Sequence, residues 1–135
     1  LSNTILMKDK STSVLIQETQ TIFNEYIRLR DRGKGCISCD SPTFTDCGHL
    51  FKKSTRPAMR FNPMAAAGQC RECNSLPDGN YDAFCEGIFN RYGKDYLEQV
   101  IQESNASRQT DHKWSKSELV ELKKYYQSEI KKLKV

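Results

Sequence analysis

The sequence predicts a small α+β domain in which helices surround a zinc-stabilised core, and three observations support this fold class. The chain has 135 residues, of which 37% are hydrophobic, enough for one modest hydrophobic core. Four segments show the periodicity of amphipathic helices, whereas residues 36–61 carry few helix signals. Two Cys-x-x-Cys pairs enclose most of this irregular segment.

Composition also predicts where the protein acts. No stretch approaches the roughly 20 uninterrupted apolar residues that a membrane helix needs, and the N-terminus lacks a signal-peptide pattern. We therefore expect a cytoplasmic protein rather than a membrane-spanning or secreted one. Because the chain begins at Leu1 rather than Met, we also expect it to be part of a longer or processed protein, with residues missing before Leu1.

The first helix is predicted over residues 14–32. Residues 1–10 show no periodicity and are expected to form a disordered or docked tail. The hydroxyl residues 11–13 can cap the helix, and Gly33 and Gly35 are expected to end it. Its predicted apolar stripe comprises Leu15, Ile22, Tyr26 and Leu29, flanked by Ile16, Phe23 and Ile27.

Three further helices are predicted at residues 81–92, 94–103 and 116–133. Gly93 is expected to separate the first two of them. Ser115, followed three residues later by Glu118, forms a capping box that opens the last one. The apolar face of the last helix is more typical of a core than of an interface.

These elements predict the following organisation along the chain. The main domain covers residues 11–103 and includes a zinc core at residues 36–92. A polar linker follows at residues 104–113, and a C-terminal helix occupies residues 114–135. We expect this helix to serve as a lid, a DNA-binding arm or a dimer element.

The two cysteine pairs, Cys36-x-x-Cys39 and Cys70-x-x-Cys73, have the spacing at which both thiolates of a pair reach one zinc ion. Together they predict one structural four-cysteine zinc site, on which folding depends. Thirty residues separate the pairs, more than the roughly 15–20 of common zinc ribbons, so we expect substantial structure between them. The alternatives are disulfides or redox motifs, which would require a secreted setting or a βαβ frame that the sequence does not show.

Two cysteines lie outside the pairs. Cys85 falls on the apolar stripe of the helix at residues 81–92 and is expected to be a small buried side chain. Cys47 lies beside Asp46 and close to His49. We expect a structural thiol there too, with contact to a metal as the alternative.

The positive charge is concentrated in one segment. Residues 28–71 contain nine Lys or Arg and three Asp, and they cover the first cysteine pair and the beginning of the second. This coincidence predicts a polyanionic partner, with nucleic acid as the first candidate and an ordinary solvated surface as the alternative. The candidate phosphate-binding residues are Arg28, Arg30, Arg32, Lys52, Lys53, Arg56, Arg60 and Arg71.

Asp46 and His49 form a possible catalytic pair on a predicted short hairpin strand inside the zinc loop. One of the two can bind a divalent metal while the other deprotonates a water molecule. Taken by themselves, a lone Asp and a lone His on a strand are more often ordinary structural residues. Their position inside a basic loop closed by cysteines favours the catalytic interpretation.

The order of these motifs resembles a known family. The pattern resembles the NinG (Rap) recombination proteins of lambdoid-type phages, from about residue 14 to the C-terminus. It consists of Tyr26-Ile-Arg-Leu-Arg-Asp31, the first C-x-x-C, Asp46-x-Gly-His49, Arg60-Phe61, Gly68-Gln-Cys70-x-x-Cys73-Asn74 and Gly79-Asn80. The resemblance implies a ββα-metal, HNH-like nuclease core in a treble-clef zinc frame. It also implies cleavage of branched DNA, such as Holliday junctions and D-loops, in a phage-infected or prophage-carrying host cell.

The resemblance assigns roles to three residues. His49 would be the general base or a metal ligand, Asp46 would bind or orient the metal, and Asn74 would be the closing Asn of the HNH-like motif. The catalytic cation would be Mg²⁺ or Mn²⁺, separate from the zinc ion. A resolving enzyme that nicks two opposed strands would be a homodimer.

The chain departs from the family pattern at Ala65 and Ala67, where the family has an Asn and a His. The hypothesis that follows is that these alanines are engineered or natural losses of active-site side chains, so that this chain is an inactivated variant. A zinc-stabilised DNA-binding module without catalysis is the alternative function.

Overall fold

A computed structural model of the protein describes residues 10–108 and 112–135. The predicted tail at residues 1–10, except for Lys10, and residues 109–111 of the predicted linker lie outside the described residues. Within those residues the chain has five α-helices and one two-stranded antiparallel sheet, which confirms the α+β class. In chain order these are α1 (Thr12–Arg30), β1 (Asp46–His49), β2 (Ala66–Gln69), α2 (Arg71–Asn74), α3 (Tyr81–Tyr92), α4 (Lys94–Ser107) and α5 (Lys116–Lys134).

Helix α1 begins after Ser11, whose hydroxyl accepts a hydrogen bond from the backbone N–H of Val14 over 3.1 Å. It ends at Arg30, two residues before the predicted end, and Asp31 caps it. The buried stripe differs from the predicted one. Its members lie four residues apart: Leu15, Thr19, Phe23 and Ile27. Three members of the predicted stripe are only half-buried at its edge: Ile22, Tyr26 and Leu29.

The predicted hairpin strand at residues 46–49 is confirmed. Strand β1 pairs with β2 in a register that sets Asp46 opposite Gln69 and His49 opposite Ala66. Strand β2 continues through Cys70 into the single-turn helix α2, so the elements follow in the order β, β, α. Partners opposite each other point to the same side of a sheet, and neighbours along a strand point to opposite sides. Asp46 and His49 therefore leave β1 on different faces.

A buried ion pair connects α1 to the hairpin. The Asp31 side chain is 0% exposed. Its carboxylate accepts a hydrogen bond from the Nε–H of Arg30 over 2.8 Å and another from the backbone N–H of Gly68 over 2.9 Å. Arg30 also donates to the backbone carbonyls of Pro63 and Ala66. The prediction that Arg30 contacts phosphate is therefore corrected, because its guanidinium forms an ion pair and hydrogen bonds within the fold.

Helix α3 coincides with the prediction, and Gly93 separates it from α4. It packs closely on the first cysteine pair, since a Cβ at Gly87 would collide with the carbonyl oxygen of Ile37. Helix α4 continues to Ser107, four residues beyond the predicted end, because Val100 and Ser104 are both buried on its inner face. The first four residues of the predicted linker are therefore helical.

Helix α5 begins with the predicted capping box of Ser115 and Glu118. Its apolar face packs on α1, and its Tyr126 hydroxyl donates to the carbonyl of Phe61 over 3.2 Å. The buried cluster shared by these elements contains Leu15, Phe23, Ile27, Phe61, Ala66, Leu119 and Tyr126. The apolar face thus belongs to the core, as its pattern indicates.

A second buried cluster lies between the hairpin, α3 and α4. It contains Ile37, Leu50, Met59, Ala65, Ala67, Phe84, Ile88 and Val100, with the half-buried Cys85 packed against it. The sequence predicts a buried Cys85; it is only half-buried, although its surroundings are apolar. Among the described residues, no helix is long and apolar enough to cross a membrane.

Candidate functional site

The four predicted zinc ligands meet at one end of the hairpin. Cys36 and Cys39 lie in the loop after α1, and Cys70 and Cys73 lie at the start of α2. Their four sulfur atoms all lie within 4.8 Å of one another. The Sγ atoms of Cys39 and Cys70 are 3.8 Å apart, well beyond the roughly 2.05 Å of a disulfide. The six cysteines are free thiols.

Backbone N–H groups point at the sulfur atoms of this cluster. Cys36 Sγ accepts from the N–H of Cys70 over 3.3 Å and from that of Ser38 over 3.4 Å. Cys70 Sγ accepts from the N–H of Cys73 over 3.4 Å. Burial opposes ionisation of Cys36, but the N–H groups outweigh it and lower its pKa to about 7. A thiolate at this position is therefore accessible near neutral pH.

The close spacing of the four thiols favours binding of a cation between them. Burial and the neighbouring sulfur atoms raise the pKa of Cys73 to about 12, although Asn80 donates a hydrogen bond to its Sγ. Four adjacent thiolates repel one another unless a positive ion lies between them. The cluster could therefore hold a zinc ion, as the spacing predicts.

Asp46 and Asn74 are in contact beside the cysteine cluster. The Nδ2 of Asn74 donates to Oδ2 of Asp46 over 3.1 Å, and Arg71 donates to Oδ1 over 3.3 Å. Burial alone would raise the pKa of Asp46, but hydrogen bonds from Asn74, Thr45 and Arg71 lower it. The structure thus brings together an anionic carboxylate and a carboxamide, two groups with oxygen atoms that hard divalent cations prefer.

His49 packs against α1. Its Nε2 lies 3.2 Å from the carbonyl oxygen of Arg60 and 3.3 Å from Nε2 of Gln20, and its ring lies against Phe23 with centroids 5.9 Å apart. Burial, together with the positive charge of Lys53, lowers the pKa of His49 to about 4. The imidazole is therefore neutral at pH 7, the state a general base requires.

His49 and Asn74 border the same open groove, which we call the histidine groove and which has a volume of about 520 Å³. Its lining consists of Cys47, His49, Lys52, Lys53, Ser54, Asn74, Leu76, Asp78 and Gly79. Asn74 therefore links the groove to Asp46, which lies outside this lining. Burial raises the pKa of Cys47 to about 12, so its thiol is neutral, as expected of a structural cysteine.

Ala65 and Ala67 require a correction. Each is 1% exposed and packs in the cluster of α3 and α4, on the opposite face of the hairpin from His49. Neither residue lines the histidine groove. The structure therefore does not place them in an active site, and an Asn or His side chain here would enter the hydrophobic core.

The remaining predicted phosphate contacts lie on separate surfaces. Lys52 and Lys53 line the histidine groove, and Arg71 is exposed beside Asp46. Arg28 and Arg32 line another groove at the C-terminal end of α1. The other two predicted contacts are Arg56, which lines a groove next to the histidine groove, and Arg60, whose Nε donates to Gln20.

Gln20 is a site residue that the sequence interpretation missed. It is 4% exposed, its Oε1 accepts from Arg60 over 2.9 Å, and its Nε2 donates to Asn24 and lies near His49. The signal was present, because a carboxamide next to the buried stripe of an amphipathic helix needs hydrogen-bond partners. The partners themselves could not be read from the sequence.

Comparisons with known proteins agree with the motif order. Residues 4–135 match the family model described as "Bacteriophage Lambda NinG protein". Among curated relatives, protein ninG of Escherichia phage 933W and that of Escherichia phage lambda are each 33% identical over 127 residues, and that of Salmonella phage P22 is 32% identical. Each alignment covers 93% of this chain.

The chain spans only 60–61% of the length of these relatives. No solved structure matches it significantly. The family match extends over nearly the whole chain and includes both cysteine pairs together with Asp46, His49 and Asn74. The chain therefore belongs to the NinG family.

Proposed function

We propose that this chain is a metal-dependent endonuclease that cleaves branched DNA, such as Holliday junctions and D-loops, by phosphodiester hydrolysis. The observation that carries the proposal is the contact between Asp46 and Asn74 at the edge of a groove that His49 also lines. A carboxylate, a carboxamide and a neutral imidazole are the groups that one-metal hydrolysis of a phosphodiester uses.

The arrangement of elements supports an HNH-like ββα-metal core in a treble-clef frame. One cysteine pair precedes the hairpin, the second begins helix α2, and Asn74 is the last residue of that helix. Zinc bound by the four cysteines would hold the hairpin and α2 together. This would keep Asp46 and Asn74 in contact, although they are 28 positions apart in the sequence.

The oxygen atoms of Asp46 and Asn74 would hold Mg²⁺ or Mn²⁺, which supplies a positive charge for the scissile phosphate and its leaving oxygen. To bind a cation through its own oxygen, the Asn74 carboxamide must turn from the orientation in which Nδ2 donates to Asp46. Lys52 and Lys53 on the groove wall would contact the neighbouring phosphates.

His49 would take the proton from the attacking water. When its Nε2–H donates to the carbonyl of Arg60, its Nδ1 carries the free lone pair. Gln20 accepts from Arg60 and so holds the segment whose carbonyl orients the ring. This contact would orient the imidazole, and burial would keep it unprotonated at neutral pH.

The proposal includes the setting of the reaction. Arg28, Arg32 and Arg71 would contact more distant phosphates of the DNA arms. Two copies related by two-fold symmetry would place one groove at each of two opposed strands, so we propose a homodimer. The relatives are phage proteins, and we propose that the chain acts in the cytoplasm of a host cell.

The test is cleavage of an end-labelled four-way junction and of a matched linear duplex, with Mg²⁺ or Mn²⁺. The wild-type chain should nick the junction in preference to the duplex. His49→Ala and Asp46→Asn should each lower the cleavage rate by about 100-fold or more, since each removes a group that acts on the reacting atoms. The matched control is His112→Ala, because His112 lies outside the histidine groove.

A wild-type chain that cuts neither substrate would contradict the proposal. If that chain still bound the junction more tightly than the duplex, the alternative of a zinc-stabilised DNA-binding module without catalysis would replace it. Equal cleavage by wild type and His49→Ala would remove His49 from the mechanism and would point to a contaminating nuclease.

A further inference from the structure

A second groove lies directly beside the histidine groove. It has a volume of about 580 Å³, and we call it the aromatic groove. Lys52 and Asp78 line both grooves, and their side chains form an ion pair over 3.0 Å. The two grooves are therefore continuous across one exposed salt bridge. The other residues that line the aromatic groove are Leu50, Phe51, Thr55, Arg56, Pro77, Tyr81 and Asp82.

The aromatic groove offers stacking surfaces that the histidine groove lacks. The rings of Phe51 and Tyr81 lie 6.3 Å apart between centroids and are inclined by 51°. Tyr81 is 37% exposed, although it is a large aromatic residue. The described residues provide no ion pair for Arg56, whose Nη1 donates only to the adjacent carbonyl of Thr55. Aromatic rings and guanidinium planes are the surfaces on which proteins stack unpaired bases, and Arg56 lines this groove half-buried, with its Nε covered.

The charges distinguish the two grooves further. The histidine groove contains two lysines and one carboxylate, Asp78, which favours a phosphate. The aromatic groove contains Lys52 and Arg56 but also two carboxylates, Asp78 and Asp82. These charges balance, so the groove does not favour an anion. Carboxylates can instead accept hydrogen bonds from the exocyclic amino groups of bases.

We propose that the aromatic groove binds an unpaired nucleobase next to the phosphate that lies in the histidine groove. This inference rests on the proposed function and specifies its substrate. A DNA strand that passes over the Lys52–Asp78 pair would place its phosphate among the lysines and its adjacent base between Tyr81 and Arg56.

The proposed base site supplies a physical basis for selecting branched DNA that carries unpaired bases. A base inside a duplex must first leave its stack to enter a protein groove, which costs a few kcal/mol, whereas an unpaired base at a branch does not. Stacking on the groove therefore stabilises the complex with a fork, a flap or a D-loop more than the complex with a linear duplex. Tyr81 would be the main specificity-determining residue, because it presents the exposed ring.

The test measures binding without cleavage, in buffer that contains zinc but no Mg²⁺ or Mn²⁺. The probe is a forked DNA with the fluorescent base 2-aminopurine at the first unpaired position, and its partner is a linear duplex with the same base paired. Wild-type protein should quench the fluorescence of the fork on binding. Tyr81→Ala should abolish the quenching and weaken fork binding by about tenfold, with duplex affinity unchanged.

Three variants complete the experiment. Phe89→Ala removes another exposed ring of α3 that does not line the groove, and it should behave as wild type. Tyr81→Trp retains an aromatic face and should keep most of the quenching. Arg56→Gln should weaken fork binding in the same direction as Tyr81→Ala, and it provides the test if Tyr81→Ala does not fold.

The outcomes separate this inference from the proposed function. Quenching that depends on Tyr81, in a protein that cuts no DNA with any divalent ion, would support the base site and overturn the nuclease. The wild-type protein could also cleave junctions while its Tyr81→Ala and Arg56→Gln variants bind forks and duplexes as the wild type does. This result would overturn the base site alone. A wild-type chain that binds fork and duplex equally would also overturn it.

Discussion

The two faces of the β1–β2 hairpin have different surroundings. On one face, Ala67 and the preceding Ala65 pack among large apolar side chains of α3 and α4 and are almost wholly buried. On the other face, His49 and Ala66 lie toward α1, where Gln20 and a backbone carbonyl supply polar contacts. This second face borders the histidine groove.

This difference shows that successive positions of one short strand can have very different surroundings. Ala65 and Ala67 pack in one buried cluster with Phe84 and Ile88 of α3 and Val100 of α4. Helix α1 leaves one side of His49 open toward the groove. Strand alternation then places Ala67 in the core and His49 at the groove.

The largest expected effect concerns the cysteine cluster, because it joins the loop after α1 to the start of α2, directly after the hairpin. Structural zinc contributes about 10 kcal/mol or more in small zinc domains, which is comparable to the whole stability of a domain. Cys73→Ser, or removal of zinc with a chelator, should therefore abolish cooperative thermal unfolding measured by circular dichroism. Cys85→Ser, outside the cluster, should retain the transition. An unchanged melting temperature after chelation would contradict a structural metal.

The next effect concerns the ion pair that holds the hairpin on α1. Asp31→Ala leaves the buried guanidinium of Arg30 without its counter-charge and the N–H of Gly68 without an acceptor. The free energy of unfolding should fall by about 3–5 kcal/mol, measured by urea denaturation. Asp95→Ala, at an exposed position of α4, should lower the free energy of unfolding by less than about 1 kcal/mol, as is usual for surface substitutions. Similar losses of unfolding free energy in both variants would show that the buried ion pair stabilises the fold no more than an exposed carboxylate does.

The third prediction concerns how the stability of the protein depends on pH through His49, on the groove face of the hairpin. The pKa of His49 is about 4 in the folded chain and 6.5 when unperturbed, so the unfolded state binds more protons between these values. The stabilisation should be complete above about pH 6.5 and should decrease by about 3 kcal/mol as the pH falls toward 4. Urea unfolding at pH 7 and pH 5 should show this decrease in wild type and His112→Gln, but a smaller one in His49→Gln. Equal decreases in all three would exclude His49 as the cause.

The smallest effect addresses the core face. Ala67→Leu adds three carbon atoms to a closely packed cluster and should lower the free energy of unfolding by about 1–3 kcal/mol. Ala106→Leu, at an exposed position of α4, should change it little, because Leu is also a good helix former. Neutral behaviour of Ala67→Leu would show that the core face tolerates large side chains and would reopen this position to a functional role.

Several features could be predicted from the sequence because their causes are local. The four zinc ligands follow from two short spacings, since two residues between thiolates allow both to reach one ion. The capping box at Ser115 and the end of α3 at Gly93 depend on residues within one turn. The roles of Asp46 and Asn74 came only from the family resemblance, and their contact, across 28 positions of sequence, is shown by the structure.

Other features depended on packing between distant segments, and these are where the sequence predictions differ from the structure. Arg30 resembles a phosphate contact in a basic run, yet it turns inward because Asp31 and two carbonyls of the hairpin lie beside it. Ala65 and Ala67 occupy positions at which the family pattern has polar residues, yet α3 and α4 cover them.

The sequence by itself determined four of the five described helices, the cysteine cluster and the family, since each depends on the order and spacing of residues along the chain. The tertiary structure alone decided which side of the hairpin faces the core, and hence that His49 lines a groove while Ala67 is buried. It also placed the aromatic groove beside the histidine groove, because Lys52 and Tyr81 meet only when α3 packs against the loop after β1. The physical reason is that a side chain's burial and charge environment are set by every segment that packs around it.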